Sequence, residues 1–274
     1  MTEPVKRGLD LLAEIESTEA ISPALWWLGQ SGFIIKFQQI VFYIDPCLSE
    51  LSGRTRMIEP PLAPAQVTNA GLVLCTHKHP AHMDPGSLPA ILKASPRAKI
   101  VLPKSAAAHA NGIGIPYERM TTTDSDLRVE YFNRGQYGRV YSVPSAHPEL
   151  DWTPIGGYPC LGYLIRFGGC TIYHSGDCRT YEGIVDRLRP YNVTAALLPI
   201  NGNENFEIAE AAQLAEDIGA RWLIPMHYGT FAGQKADVNR FVDHMLGFRP
   251  STGFKVFQPG EQWIIPIFLS THSR

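Results

Sequence analysis

Several histidines and one aspartate stand directly behind short apolar runs of this sequence, at positions typical of the ends of β-strands. The runs LVLCT, VYSVPSA, TIYHSG and WLIPM lead to His77, His79, His82, His147, Asp177 and His227. In layered α/β folds the loops at one end of the strands meet in a crevice where ligands bind. Imidazole and carboxylate ligands without thiolate suit zinc, manganese or iron. The pattern therefore predicts a site for a divalent metal ion.

The segment THKHPAHMD (76–84) carries the densest part of this pattern. In an extended segment, residues i and i+2 lie on the same side, so His77 and His79 can approach one ion together. Three other histidines, His109, His244 and His272, do not follow an apolar run in this way. We interpret those three as structural or surface residues.

Composition excludes several classes of protein. The chain has 274 residues, and its 24 Lys and Arg against 26 Asp and Glu give a net charge of −2, which predicts no nucleic-acid partner and no anionic membrane surface. No apolar run approaches the roughly 18 residues of a membrane span. The N-terminus lacks the pattern of a signal peptide, and the five cysteines show no CxxC spacing. These features favour a cytoplasmic enzyme with reduced, mostly buried thiols.

The distribution of apolar residues predicts one α+β domain over residues 1–274, with an N-terminal helical extension over 1–20. Residues 5–16 show helical spacing, and strands then follow in two batches, each interleaved with or followed by helices. No segment repeats, and no linker-like stretch divides the chain. We therefore expect two β-sheets packed face to face with helices outside.

The motifs resemble a known family. THKHPAHMD, PSAH (144–147), YHSGD (173–177) and PMHYG (225–229) match in order the metal motifs of the metallo-β-lactamase superfamily, and YIDP (43–46) matches its first motif. WLGQSGFIIKF (27–37), YHSGD and LPING (198–202) resemble more narrowly its UlaG-like branch. That branch is typified by a manganese-dependent lactonase acting on L-ascorbate 6-phosphate.

The resemblance implies a four-layer αβ/βα sandwich with two mixed sheets and a pair of metal sites. One site would consist of His77, His79 and His147, and the other of His82 and His227, with Asp177 bridging the two. Asp45 would orient a ligating imidazole or the loop beneath it. The expected cofactor is Mn or Zn, or alternatively Fe.

One position departs from the family pattern HxHxDH, in which an aspartate precedes the last histidine. Here that residue is Ala81. We expect the site of His77, His79 and His147 to bind its metal firmly and the second site to be weak or empty. Asp84 and His174 are alternatives for the role of the missing carboxylate, and Asp177 and His174 are the candidates for proton transfer during catalysis.

Three functional hypotheses remain open at this point. The first is a hydrolase that uses metal-activated water on a small polar metabolite, most simply a lactone of the L-ascorbate 6-phosphate type. The second is a metal-dependent phosphodiesterase, and the third a non-catalytic metal- or ligand-binding protein with a degenerate second site.

The expected partner is a small molecule, and a homo-oligomer is the expected assembly. Candidate substrate contacts are Gln30, Asn201, Asn203 and Arg179, although the asparagines equally suit a polar turn and the arginine a surface position. Cys178 is interpreted as a small packed residue rather than a nucleophile.

Overall fold

Two mixed β-sheets form the centre of the protein. In the computed structural model, which describes residues 1–248 and 250–266, fourteen strands pair into two sheets of seven. In spatial order the first sheet contains β14 (Gln262–Ile264), β1 (Ala24–Gly29), β2 (Gly32–Phe37), β3 (Ile40–Ile44), β4 (Leu72–Leu74), β5 (Lys99–Pro103) and β6 (Met120–Thr123). The second contains β13 (Gly253–Phe254), β12 (Trp222–Met226), β11 (Ala195–Pro199), β10 (Cys170–His174), β9 (Leu161–Phe167), β8 (Gln136–Pro144) and β7 (Arg128–Asn133).

Strands β1 to β4 of the first sheet are apolar at almost every position because both of their faces are covered. Along β1, Leu25 and Trp27 join the apolar cluster that includes residues of the second sheet. The alternate residues Trp26 and Leu28 join a separate cluster with the helices on the outer face. Side chains of a strand alternate between faces, so a strand buried on both sides reads as a continuous apolar run.

Helices cover the outer faces of both sheets. They are α1 (Gly8–Ser17), α2 (Leu88–Ala94), α3 (Ala107–Gly112), α4 (Ile184–Leu188), α5 (Ile208–Asp217) and α6 (Val238–Phe248). Helix α1 packs through Leu11 and Ile15, and the buried Lys36 ammonium of β2 donates to the carbonyls of Ile15 and Glu16 at its C-terminal end. The longest of these helices has 11 residues, so none in the described ranges could cross a bilayer.

The sheet topology collects strand ends at one edge of the sandwich. Strands β3 to β6 run parallel to one another, as do β10 to β13. Asp45, Thr76, Asp177, Asn201 and His227 follow the carboxyl ends of β3, β4, β10, β11 and β12. Ligands bind at this end of parallel strands in open α/β sheets, so the topology positions these side chains for a common site.

The predicted two-sheet sandwich flanked by helices is confirmed, with two differences in its strands. The polar strand β6 was missed because its sequence MTTT has no apolar alternation. The sequence pattern predicts two closing strands, FKVFQP (254–259) and QWIIPIF (262–268). Of the first, only Phe254 belongs to a strand, because residues 255–261 carry the chain from the second sheet to β14 in the first. The end of the last predicted strand (267–268) and His272 lie outside the described residues.

Candidate metal centre

The six side chains singled out by sequence pattern meet at the carboxyl edge of the sheets. They form two groups that share the carboxylate of Asp177. One group is His77, His79, His147 and Asp177, and the other is His82, Asp177 and His227. Within each group, one potential ligand atom per residue lies within 4.8 Å of all the others. The four separate strand ends therefore contribute to one cluster.

Each oxygen of Asp177 faces a different group of histidines. Oδ1 lies 3.1 Å from Nε2 of His82 and 3.1 Å from Nε2 of His227. Oδ2 lies 3.4 Å from Nε2 of His147 and 3.9 Å from Nε2 of His77. This division between the two oxygens is the arrangement required of a carboxylate that bridges two cations.

The buried carboxylate of Asp45 orients two of the histidines. Its Oδ2 accepts hydrogen bonds from Nδ1 of His82 at 2.7 Å and from the hydroxyl of Thr76 at 2.7 Å. Because the Thr76 hydroxyl donates its proton to Asp45, its oxygen accepts from Nδ1 of His77 at 3.1 Å. In the neutral form of each ring, a proton on Nδ1 leaves Nε2 with its lone pair directed at the cluster.

A backbone carbonyl orients the third histidine. Nδ1 of His147 donates to the carbonyl of Glu204 at 3.0 Å. This carbonyl belongs to a loop in which Gly202, Asn203 and Glu204 all have positive φ angles of 59°, 55° and 77°. Non-glycine residues seldom adopt this region, so the loop is held in an unusual shape at the point where it contacts His147.

Backbone strain is also concentrated at the other strand ends. Gln30, Asp45 and His227 have φ angles of 52°, 44° and 68°. Hydrogen bonds hold them there, because the amide of His227 donates to the carbonyl of Gln30 at 3.2 Å and the amide of Asp45 donates to the carbonyl of Leu74 at 2.8 Å. Such strain costs about 1–3 kcal/mol per residue and is typical of functional sites.

Burial and neighbouring charges shift the pKa values of the cluster in opposite directions. Burial lowers the pKa of His227 to about 4 and that of His77 well below its usual value, so both rings are neutral at pH 7. Burial alone would raise the pKa of Asp177, but His82 and His227 hold it well below its usual value. Burial likewise opposes protonation of His82, yet Asp177 and Asp45 raise its pKa to about 10.

These side chains fit a divalent cation. Nε2 of His77 and Nε2 of His227 are buried without a hydrogen-bond partner, although buried polar atoms are normally satisfied. Nε2 of His227, in a ring that is neutral at pH 7, faces Oδ1 of the ionised Asp177 at 3.1 Å. A cation with bonds of ~2.1 Å separates neighbouring ligand atoms by roughly 3.0–3.4 Å. A positive ion would therefore satisfy the unpaired atoms.

A cavity of about 980 Å³ opens over the cluster. Of the residues predicted to contact substrate, Gln30, Asn201 and Asn203 line this cavity. Arg179 is not among the lining residues. Its amide donates to the carbonyl of Ala146, and its side chain is exposed to solvent. The structure therefore places three of the four predicted contacts at the cavity.

The side chain of His174 has no free nitrogen for proton transfer. Its Nδ1 accepts from the amide of Gly176 at 3.1 Å, and its Nε2 therefore donates to the carbonyl of Ser31 at 2.8 Å. Burial lowers its pKa, which keeps the ring neutral. Of the two predicted catalytic residues, Asp177 therefore faces the cavity. His174 instead links the two sheets through its hydrogen bond to Ser31.

The carboxylate of Asp84 is also committed elsewhere. It accepts hydrogen bonds from the amides of Leu48, Ser49 and Gly86 and from the hydroxyls of Ser49 and Ser87. It lies in neither ligand group of the described residues. Asp84 therefore holds the loop after β3 against the histidine-rich segment, and it does not replace a carboxylate at position 81.

Position 81 itself is part of an apolar wall. Ala81 is buried in a small cluster with Cys47, Leu51 and Phe231, separate from the two main cores. Ala81, Leu51 and Phe231 also line the cavity. The cavity is therefore apolar on this side of the histidine and aspartate cluster.

Comparison with known proteins places this arrangement in a family. Residues 41–228 match the family model described as "Beta-lactamase superfamily domain", which is more than half of the chain. The chain belongs to the metallo-β-lactamase superfamily. It is 30% identical over 244 residues to a UPF0173 metal-dependent hydrolase of Thermococcus kodakarensis, covering 86% of this chain and 96% of the relative. A UPF0173 metal-dependent hydrolase of Hyperthermus butylicus is 28% identical over 242 residues, with the same coverage.

Solved structures share the fold of this metallo-β-lactamase superfamily member. The metallo hydrolase Igni18 of Ignicoccus hospitalis superposes with a TM-score of 0.70 at 21% identity, covering 90% of this chain and all of that one. An isothiocyanate hydrolase from Delia radicum gut bacteria superposes with a TM-score of 0.68 at 15% identity, covering 88% and 98%. These likenesses concern the fold.

Several residues that shape the site of this superfamily member are not predicted by the sequence pattern. Thr76, which links Asp45 to His77, stands inside the recognised THKHPAHMD segment and could have been found there. The carbonyl of Glu204 and the ring of Phe231 belong to loops whose sequence has no pattern that predicts a role in the site. Their contacts with the site are made with residues that are distant in the sequence.

Metal affinity at the group containing His82 is expected to rise with pH. Its pKa of about 10 means that a cation must displace a proton from the ring at neutral pH. Below pH 10, affinity should increase by up to about tenfold per pH unit, with release of about one proton per ion bound there. Calorimetric Mn²⁺ and Zn²⁺ titrations at pH 6.5 and 7.5, in buffers of different ionisation enthalpy, measure both quantities. Affinity that does not change with pH would contradict this prediction.

Proposed function

We propose that this protein is a metal-dependent hydrolase that opens a lactone or a related ester of a small polar metabolite. The observation that carries the proposal is the position of Asp177, whose two oxygens face two separate groups of histidines at the floor of the cavity. The names of the curated relatives, metal-dependent hydrolases, support the reaction class. The motifs WLGQSGFIIKF and LPING favour a substrate of the L-ascorbate 6-phosphate type and the UlaG-like branch.

In this proposal His77, His79 and His147 hold one cation, and His82 and His227 hold the second, with Asp177 between them. A divalent cation supplies Lewis acidity and makes water acidic enough to ionise near neutral pH. The side chain of Asp177 stays ionised at neutral pH because His82 and His227 lower its pKa. In the proposal this carboxylate accepts the proton of the attacking water.

The polar side of the cavity would hold the substrate. Asn201, Asn203 and Gln30 line the cavity, and Oδ1 of Asn201 is buried without a partner. An unpartnered amide oxygen beside a cavity favours a ligand that donates a hydrogen bond, such as a hydroxylated lactone. The thiol of Cys178 takes no part as a nucleophile, because burial raises its pKa to about 12.

Hydrolysis of a matched substrate panel tests the proposal. Protein with its metal content measured is assayed with five-membered lactones, with and without a phosphate group, with simple esters and with bis(4-nitrophenyl) phosphate. We expect turnover of at least one lactone that is lost on chelation and restored by Mn²⁺ or Zn²⁺. Turnover of the phosphodiester alone would favour a phosphodiesterase. No turnover of any compound by metal-loaded protein would contradict the proposal and favour a non-catalytic binding protein.

The two metal sites are expected to differ in occupancy. The first has three histidines and Asp177, whereas the second has two histidines and Asp177 beside the apolar Ala81. The smaller ligand set of the second site should bind its ion more weakly. Elemental analysis should therefore give about one metal ion per chain after mild chelation.

Ala81→Asp should raise affinity at the second site, and Ala81→Asn is the matched control without the charge. Two ions per chain in the unsubstituted protein after chelation would show that the sites are equivalent.

A further inference from the structure

Two loops pair across one side of the cavity and form a structure that we call the clasp, residues 50–57 and 230–235. The amide of Met57 donates to the carbonyl of Thr230, and the amide of Ala232 donates to the carbonyl of Thr55, both at 2.8 Å. Arg56 and Phe231 form an antiparallel bridge between the loops. Gln234 closes the second loop by accepting from the amides of Thr230 and Phe231.

Two guanidinium groups of the clasp stand over one aromatic ring. Cζ of Arg54 lies 5.5 Å from the centroid of Phe231, and Cζ of Arg56 lies 5.2 Å from it. Both distances are typical of cation–π contacts. The ring of Phe231 lines the cavity, so the positive charges are brought up to the cavity wall.

The charge of Arg56 is buried without a compensating carboxylate. The residue is 4% exposed, and its Nη2 donates to the carbonyls of Cys47 and Ser49. Its Nε and Nη1 have no hydrogen-bond partner, and it forms no ion pair with any carboxylate of residues 1–248 and 250–266. A buried charge of this kind normally has a partner, and uncompensated charge in a cleft attracts ligands of the opposite sign.

The exposed cations of the clasp are uncompensated as well. Arg54 and Lys235 line the cavity, and neither is ion-paired within the described part of the chain. Glu50 contributes a carboxylate to the same side of the cavity. Two cations and one anion of the clasp therefore line the cavity, with a formal charge of +1, and the buried Arg56 adds a third positive charge behind Phe231.

An apolar path joins the clasp to the metal ligands. Ala81, which directly precedes His82, belongs to the same small cluster as Leu51 and Phe231, and all three line the cavity. A ligand that contacts both the metal ligands and Arg54 therefore passes along carbon atoms. Such a ligand needs a short spacer between its two ends.

We propose that the clasp binds an anionic group of the substrate, held by Arg54 and Lys235 and separated from the scissile bond by a short carbon spacer along Ala81, Leu51 and Phe231. The inference rests on the proposed function for the end that is cleaved, and it adds the part of the cavity and the side chains that hold the anionic group of such a substrate. A carboxylate and a phosphate share the required chemistry, because both accept charge-assisted hydrogen bonds from guanidinium and ammonium groups.

Binding of simple anions to the metal-loaded protein tests the inference without requiring turnover. Butyrate, glutarate and 4-phosphonobutyrate share one carboxylate and a three-carbon chain, and differ in a terminal hydrogen, carboxylate or phosphonate. We expect one of the two dianions to bind at least about tenfold more tightly than butyrate by calorimetry. The tighter of the two identifies the anion as a carboxylate or a phosphate.

Charge-removing variants locate the effect. In Arg54→Gln combined with Lys235→Gln, the affinities of the dianion and of butyrate should agree within about twofold. Arg134→Gln removes one positive charge at the turn between β7 and β8, away from the cavity, and should leave the tenfold preference intact. If neither glutarate nor 4-phosphonobutyrate binds the unsubstituted protein more tightly than butyrate, the inference is overturned. Failure of the proposed function appears separately, as absence of metal-dependent hydrolysis in the substrate panel.

Discussion

Replacing Asp177 by asparagine is expected to lower turnover by about 10²–10⁴-fold at equal metal content, the usual contribution of general-base catalysis. Asparagine keeps the size of the side chain and one carbonyl oxygen, but it cannot accept a proton at neutral pH. The effect should fall on kcat, because the change removes the proton acceptor and leaves the other residues that line the cavity unchanged. Steady-state kinetics on the best lactone of the panel, with metal content verified for each preparation, measures it.

The control for this prediction is His174→Gln. His174 uses both ring nitrogens in hydrogen bonds to the backbone of Gly176 and Ser31, so its replacement should lower the free energy of unfolding while leaving kcat within about tenfold. Thermal unfolding and kinetics on the same preparation separate the two effects. Unchanged turnover in Asp177→Asn, or a larger loss in a folded His174→Gln, would assign proton transfer to another group.

Asp45→Asn is expected to weaken metal binding by about 10–100-fold, although Asp45 does not itself face the cation. Its carboxylate accepts from the amide and hydroxyl of Thr76 and from Nδ1 of His82. An asparagine offers one acceptor oxygen, and its amino group would oppose one of these donors. The rings of His82 and, through Thr76, His77 then lose their fixed tautomer. Competition with a chromophoric chelator gives the dissociation constant of each variant.

Asp84→Asn provides a matched control for Asp45→Asn. Both carboxylates are fully buried and each accepts several hydrogen bonds, but those of Asp84 come from the backbone and serines of residues 48–49 and 86–87. Its loss should lower the melting temperature without a comparable change in metal affinity. Equal loss of metal affinity in the two variants would mean that the effect of Asp45 is general destabilisation.

Much of the fold, and the position of the candidate metal ligands, could be predicted from the sequence for a local physical reason. A strand covered on both faces must be apolar throughout, so each buried strand is visible as a continuous run. The first polar residue after such a run marks the strand end, and parallel topology brings those ends to one edge. His77, His147, Asp177 and His227 follow four different runs, and the structure brings them together.

The partner of each polar side chain was decided only by the tertiary structure. His174 and Asp84 have the residue types and positions of catalytic or ligating groups, yet the segments packed against them provide hydrogen bonds that occupy them. The clasp is a second example, since Arg54 and Phe231 meet across 177 positions of sequence by pairing of two irregular loops. Strand periodicity is a property of neighbouring residues, whereas hydrogen bonds and charge pairing depend on which distant segments the fold brings into contact.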